Sequence, residues 1–250
     1  MKKFGLIGYP LEHSFSAKYF DEKFKAEKID AEYHLFPIQS IKELPQLIAS
    51  EPNLVGLNVT SPYKREVLKY LHHIDFEAEM AGAVNVIKIE KGFFGKKSLI
   101  GYNSDIIGFK ESLQNMDLSG VDRALVLGTG GASIAICRAL KLMGISHDVV
   151  SRDPQRDNIL SYSQITPAII MDKYRLIINA TTLGMYPHVN ECPPIPYESL
   201  TDHHICYDLI YNPETTLFLE KAASHGAITK NGLQMLLIQA EESWRIWNQL

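Results

Sequence analysis

An apolar run that ends in a cluster of glycines constrains this chain more than any other feature: Arg123-Ala-Leu-Val-Leu-Gly128-Thr-Gly130-Gly131-Ala132-Ser133. The run before Gly128 has the length and composition of a buried strand, and the residues after it open a helix. A strand that turns through glycines directly into a helix is the context of a dinucleotide-binding loop. Gly128, Gly130 and Gly131 let the backbone pass close to a pyrophosphate, whose charge would rest on the unsatisfied N–H groups where the helix starts, at Gly131 and Ala132. A tight turn with no ligand fits the same pattern.

The rest of the second half alternates short strands and helices around this turn. Strands are expected at 123–128, 147–151, 176–180 and 205–209, with helices at 131–143 and 215–225 and a short strand at 227–230. The first hundred residues repeat the alternation, with strands at 4–8, 31–37, 54–59, 83–90 and 98–102 and helices at 17–28 and 41–49. Short β-branched runs separated by segments of 3.6-residue periodicity describe an α/β fold with crossover helices. A helical segment at 107–115 and the turn Asp117-Leu-Ser-Gly120 separate the two series, which places a domain boundary near residue 105. The last helix, 232–248, is amphipathic, and its periodicity suits packing on either domain.

A chain of 250 residues can bury a large core and accommodates two domains of ordinary size. Its net charge of −4 gives no general attraction to nucleic acid or to an anionic membrane, so an anionic ligand needs local basic groups. The start, Met1-Lys-Lys-Phe-Gly-Leu-Ile-Gly, is too short an apolar stretch for a signal peptide or a spanning helix, which implies a cytoplasmic protein. Cys137, Cys192 and Cys206 are odd in number and lack metal-ligand spacing, so neither a disulfide framework nor a metal site is expected.

Cofactor choice in such a sheet is decided after the second strand, where an acidic residue bonds a ribose 2′-OH and basic residues hold a 2′-phosphate. Here Val149-Val-Ser-Arg152-Asp153-Pro-Gln-Arg156 carries both signals. The planar guanidinium groups of Arg152 and Arg156 favour NADP, and Asp153 leaves NAD possible.

The first half ends its strands in polar groups. Asn58-Val-Thr-Ser-Pro-Tyr-Lys64 follows an apolar strand, and Asn58 and Thr60 can bond a polyhydroxy ligand while Pro62 holds the backbone where Lys64 starts a helix. Thr60 and Ser61 are equally ordinary helix caps. Ser14 and Ser16 flank an apolar residue at the start of the first helix, where two hydroxyls can clasp a carboxylate or Ser16 can serve as a plain cap; His13 reads as structural or solvent-facing. Asn85 places an amide inside an apolar strand and needs a partner, either a protein group or a ligand hydroxyl. Ser104 and Asp105 close the first series and would both serve as caps. Lys64 and Asp105 together could move the proton that accompanies hydride transfer at a secondary alcohol.

Taken together and in order, these segments resemble the shikimate dehydrogenase family. The likeness rests on the Ser14/Ser16 pair, Asn58 to Lys64, Gly82-Ala-Val-Asn85, Gly101-Tyr-Asn-Ser-Asp105, the glycine loop, Asn179-Ala-Thr-Thr-Leu-Gly184, Tyr207-Asp208-Leu-Ile-Tyr211-Asn-Pro213 and Asn231-Gly232-Leu-Gln-Met235 through Gln239. The resemblance implies an N-terminal α/β substrate domain, residues 1–104 plus 232–250, and a Rossmann-like NADP domain, residues 105–231, with a cleft between them. It implies reversible NADP-linked reduction of 3-dehydroshikimate to shikimate in the chorismate route, with a quinate/shikimate enzyme accepting NAD as the alternative. Lys64 and Asp105 would carry the proton. Ser14, Ser16 and Tyr211 would hold the carboxylate, and Thr60, Lys64, Asn85, Asp105 and Gln239 the ring hydroxyls, with Asn58 also among the substrate-binding residues. Thr181, Leu209 and Gly232 would join Gly128, Gly130, Gly131, Ala132, Arg152, Asp153 and Arg156 around the cofactor. A monomer or homodimer with a small-molecule substrate is expected. Three positions depart from the family pattern: Thr129 for alanine, Ser104 for threonine, and Ser151-Arg152-Asp153 for Asn-Arg-Thr.

Overall fold

A computed structural model describes residues 1–11, 14–92, 96–154 and 158–249. The chain divides into two compact units, residues 1–104 with 240–250, and residues 105–239. Among the described residues no helix is long and apolar enough to cross a membrane.

The first unit is built on strands β1 (Lys2–Ile7), β2 (Ala31–Phe36), β3 (Leu54–Val59), β4 (His73–Ile74), β5 (Val86–Lys91) and β6 (Lys97–Tyr102), ordered β2-β1-β3-β5-β6-β4. Helices α1 (Phe15–Ala26), α2 (Leu44–Ser50) and α3 (Phe76–Ala81) connect them. The sheet is parallel except for β5, which runs against both neighbours. Four consecutive buried residues end both β1 and β3, the mark of strands covered on both faces. One face packs Ile7, Leu57, Val59 and Ile87 against Ile41, Leu44 and Ile48. On the other, Phe20 and Phe24, four apart on α1, join Phe4 and Trp247 in an aromatic cluster.

The reversal of β5 has a direct consequence for polar residues. Asn58 lies opposite Val86, and Val86 opposite Tyr102, so the start of β5 sits beside the ends of β3 and β6. Asn85, one residue before β5 rather than inside it, is thereby held at the carboxyl edge of its neighbours, with Val59 N donating to its carbonyl at 2.8 Å.

The second unit contains α4 (Ser104–Ser112, from its second residue), β7 (Arg123–Leu127), α5 (Gly131–Leu142), β8 (Ser146–Ser151), β9 (Ile159–Ser161), α6 (Pro167–Lys173), β10 (Leu176–Asn179), β11 (Ile205–Asp208), α7 (Leu217–Ser224) and β12 (Ile228–Lys230). All its strand pairs are parallel and the order is β12-β11-β10-β7-β8-β9. Read from β9, that is the 3-2-1-4-5-6 order of a dinucleotide-binding sheet, whose direction of winding reverses between β7 and β10. The final helix α8 (Leu233–Asn248) contributes its residues to 239 to this unit and those from 240 to the first.

Several local expectations change. The helix expected from Lys64 is a turn through residues 61–65 followed by a 3₁₀ helix at Glu66–Tyr70. The Lys64 carbonyl, which a helix would use for its own ladder, accepts instead from Val84 N at 2.8 Å, and the Tyr63 hydroxyl pins the turn by donating to Ile38 O at 2.7 Å. The helix of 41–49 is split into a 3₁₀ turn, Ile41–Glu43, capped reciprocally by Ser40 and Glu43, and α2, in which Pro45 occupies the first turn. Ser104 and Asp105 stand in the first turn of α4 instead of before it. Four elements, β4, α3, β9 and α6, fall where the sequence showed no regular pattern.

Candidate functional site

At the carboxyl ends of β7, β8 and β10 the second unit encloses a cavity of about 420 Å³. Its wall includes Gly128, Thr129, Gly130, Ser151, Arg152 and Thr181. Gly128 has φ +108°, and a side chain there would come within 3.0 Å of the Ala180 carbonyl, so glycine is required to close the turn. At Gly130 the protein itself makes no such demand: a Cβ there would meet no protein atom within 4 Å, so the loop borders open space. That space opens onto the start of α5, whose cap residue Gly130 is extended, offers no side-chain cap and precedes a first turn without acidic residues. Uncapped N–H groups, the positive end of the helix and room at Gly130 together suit a pyrophosphate. Ser133 donates to Gly128 O at 2.6 Å and fixes the loop from inside.

Arg152 and Asp153 follow β8 on the exposed surface, and Arg152 lines the cavity. Asp153 N donates to Ser151 Oγ at 3.2 Å, which shapes this turn. Arg156, like His13, lies outside the described residues. The cavity wall also includes Tyr162, His188 and Glu191, none of which the sequence singled out. Burial pushes the Tyr162 phenol up to about 12, with the nearby Arg152 charge opposing, so this ring is a neutral, half-apolar wall beside a guanidinium. Tyr162 comes from the segment around β9, which carried no periodic signal. Gly131, Ala132, Leu209 and Gly232 are not part of this wall. Gly131 and Ala132 open α5 behind Gly130, while Gly232 N donates to Ile210 O at 3.0 Å and Leu209 N to Asn179 O at 3.0 Å on the far side of β10.

The loop after β10 is held by a buried carboxyl group. Asp208 accepts from Thr216 Oγ1 at 2.6 Å, Asn179 Nδ2 at 3.1 Å and Ile210 N at 3.0 Å. Burial nevertheless pushes its carboxyl up to about 6, more than these three donors pull it down. Asn179 in turn accepts from Thr181 Oγ1 at 2.7 Å, and Thr181 Oγ1 accepts from Leu183 N at 3.1 Å. Thr181 is thus fixed through Asn179 to Asp208.

Elsewhere in the second unit, Asp105 is buried in the first turn of α4. Gly108 on the same helix permits close approach of α8, since a Cβ there would lie 2.9 Å from Met235 O and 3.0 Å from Gln239 Cβ. Tyr211 follows β11, and burial raises its phenol above the ordinary range.

In the first unit the polar residues converge on the edge created by β5. Ser14 is the cap residue of α1 but makes no side-chain capping bond, and Ser16 sits in the first turn. Burial raises the Tyr33 phenol above its ordinary range, with the nearby Ser16 hydroxyl opposing. The Tyr33 hydroxyl donates to Asn58 Oδ1 at 2.8 Å. Asn58 Nδ2 donates to Ser243 Oγ at 2.9 Å and to Asn85 O at 3.4 Å, so the amide is engaged by the protein on both sides. Asn85 has a protein partner: Ser104 N donates to its Oδ1 at 2.7 Å, and its Nδ2 donates to Ser104 Oγ at 3.0 Å. Thr60 N bonds Ile7 O at 2.9 Å, which sets Thr60 at the end of β1 and β3 with Lys64 one turn beyond. Among the described residues no cluster of His, Cys, Asp or Glu suits a metal ion.

A family model described as the shikimate dehydrogenase substrate binding domain matches residues 6–87, the stretch that holds Ser14, Ser16, Asn58, Thr60, Lys64 and Asn85. A shikimate dehydrogenase (NADP(+)) of Methanococcus aeolicus is 36% identical over 260 residues, covering 98% of this chain and 91% of the relative. The crystal structure of shikimate dehydrogenase from Aquifex aeolicus superposes with a TM-score of 0.85 at 31% identity, covering 99% of this chain and 92% of that one. The shikimate 5-dehydrogenase of Thermus thermophilus, solved with NADP(H) and shikimate, gives a TM-score of 0.83 at 30% identity, covering 100% of this chain and 94% of that one. With a glycine cradle on one parallel sheet, a polar edge on a second sheet, and matches along almost its entire length, the chain belongs to the shikimate dehydrogenase family.

Proposed function

We propose that the chain catalyses the reversible, NADP-linked interconversion of shikimate and 3-dehydroshikimate, in the cytoplasm, as a monomer or homodimer. The observation that carries this reading is the reversed strand β5, which brings Asn85 to the sheet edge where Thr60 and, one turn on, Lys64 follow β3. A ring bearing several hydroxyls needs such a row of donors and acceptors on a rigid support. In this reading residues 1–104 hold the substrate, with Ser14 and Ser16 at its carboxylate together with Tyr211, and Asn58, Thr60, Asn85 and Gln239 on the ring side.

The glycine cradle at Gly128 and Gly130, with Gly131 and Ala132 behind it, would hold the pyrophosphate of NADP. Arg152 would face the 2′-phosphate as a planar donor, and Thr181, Leu209 and Gly232 would border the nicotinamide end. When bound, NADP supplies the hydride acceptor for the carbinol carbon of shikimate. The chain must then take up the hydroxyl proton, and Lys64 with Asp105 is the pair assigned to that transfer. In the reductive direction the same pair returns the proton to the new hydroxyl.

Initial rates with shikimate and quinate, each with NADP and NAD, test the reading. Fastest turnover is expected with shikimate and NADP. A preference for NAD, or equal turnover of quinate, would replace it with the broader quinate/shikimate activity that Asp153 would accommodate; no turnover of either acid would sink it.

A further inference from the structure

Inside the first unit, hydrogen bonds run without a break from Tyr33 to Asn85, through side chains that the sequence did not connect. Two backbone groups decide their direction. Asn85 O can only accept, so the Asn58 group facing it is the amide nitrogen, and Asn58 Oδ1 must face Tyr33. The single Tyr33 proton is therefore committed to Asn58. Ser104 N can only donate, which fixes Asn85 Oδ1 toward it and leaves Asn85 Nδ2 to donate to Ser104 Oγ. Between the two amides stand Ser243 Oγ, which accepts from Asn58, and Ser104 Oγ, 3.3 Å from it. Asn58, Ser104 and Ser243 are buried, so each orientation is set by protein groups and not averaged by solvent.

We propose that Tyr33 and Ser243 are positioning residues for the substrate. Tyr33 sets one end of Asn58, and Ser243, on the terminal helix, sets the other end of Asn58 and, through Ser104, the amide of Asn85. The relay thus couples Asn58 with Asn85, both assigned to the substrate. It also gives α8 a task inside the first unit that is distinct from packing Trp247. The inference rests on the reading above that Asn58 and Asn85 serve a shikimate-like acid.

Steady-state kinetics of the full chain carrying Tyr33→Phe, Ser243→Ala or both, with thermal melts of each, test the relay. Tyr33→Phe removes one hydroxyl at nearly constant volume and guards against a Ser243→Ala protein that folds poorly. Each single variant should raise KM for shikimate about five- to fiftyfold, the range for stranding a buried hydrogen-bonding partner, and leave KM for NADP within twofold. The double variant should fall short of the product of the singles, because both cut one chain. KM for shikimate within twofold of wild type in both singles, whether or not the melting temperature falls, overturns the relay and leaves these residues merely structural. Wild-type protein without shikimate-dependent NADP reduction removes the functional reading, and the relay with it.

Discussion

Asn179 Nδ2 donates to Asp208 Oδ1 across 3.1 Å, tying the carboxyl end of β10 to that of β11 beneath the loop that carries Thr181. The carboxyl group is fully buried, and that burial raises it to about 6 from 3.8. Because the folded protein holds this proton more tightly than the unfolded chain, the group's stabilising contribution is complete below pH 4 and is lost as pH rises through about 6. The loss is on the order of 3 kcal/mol. Urea unfolding of wild type and Asp208→Asn from about pH 4 to 7 should show the wild type losing stability relative to the variant across this window. A constant difference would remove the titration from Asp208.

Replacement of Lys64 should affect turnover more than binding. Its carbonyl is held by Val84 N and its position by the buried Tyr63, so truncation of the side chain leaves the turn intact. Lys64→Ala is expected to lower kcat by at least ~10²-fold, the lower end for a positioned acid or base, with a smaller change in KM for shikimate. Unchanged kcat would take Lys64 out of the proton transfer.

The two glycines of the cofactor cradle should fail differently. A Cβ at Gly130 meets nothing in the protein, so Gly130→Ala should melt like wild type while KM for NADP rises at least ~10-fold through contact with the pyrophosphate. Gly128 is at φ +108°, where a side chain is strained by roughly 1–3 kcal/mol, so Gly128→Ala should lower the melting temperature by roughly 3–10 °C even without nucleotide. Equal melting temperatures for the two variants would contradict this assignment.

Gly56 in β3 makes a purely structural prediction. A Cβ there would lie 2.5 Å from Trp247 Cδ1, and Trp247 is anchored by a bond from Nε1 to Ile87 O at 3.1 Å, so the ring cannot simply swing aside. Gly56→Ala should destabilise by about 1–3 kcal/mol, as overpacking of a close-packed core does, measured as a lower urea midpoint. A midpoint equal to wild type would show that the terminal helix yields at this contact.

What the sequence by itself determined was local. The strand ending at Gly128, the helix after it, the polar ends of the first-half strands and most strand positions follow from short-range rules: side-chain periodicity, backbone freedom at glycine, and the cost of burying an unpaired amide. Those rules act over a few residues and can be read there. The resemblance that named Lys64, Asp105 and the serine pair was carried by such short segments in order.

Only the tertiary structure decided which polar groups meet. Asn58 and Ser243 are 185 positions apart, and nothing in the spacing of either marks a bond between them. The antiparallel course of β5 places Asn85 beside Asn58, and strand direction depends on how neighbouring strands pair, not on the apolar run itself. Tyr162 reaches the cavity wall from the end of β9, three residues with too little pattern to register as a strand until β8 pairs with it. The division of α8 between the two units has the same origin, because an amphipathic stripe states that a helix face is buried without stating against what.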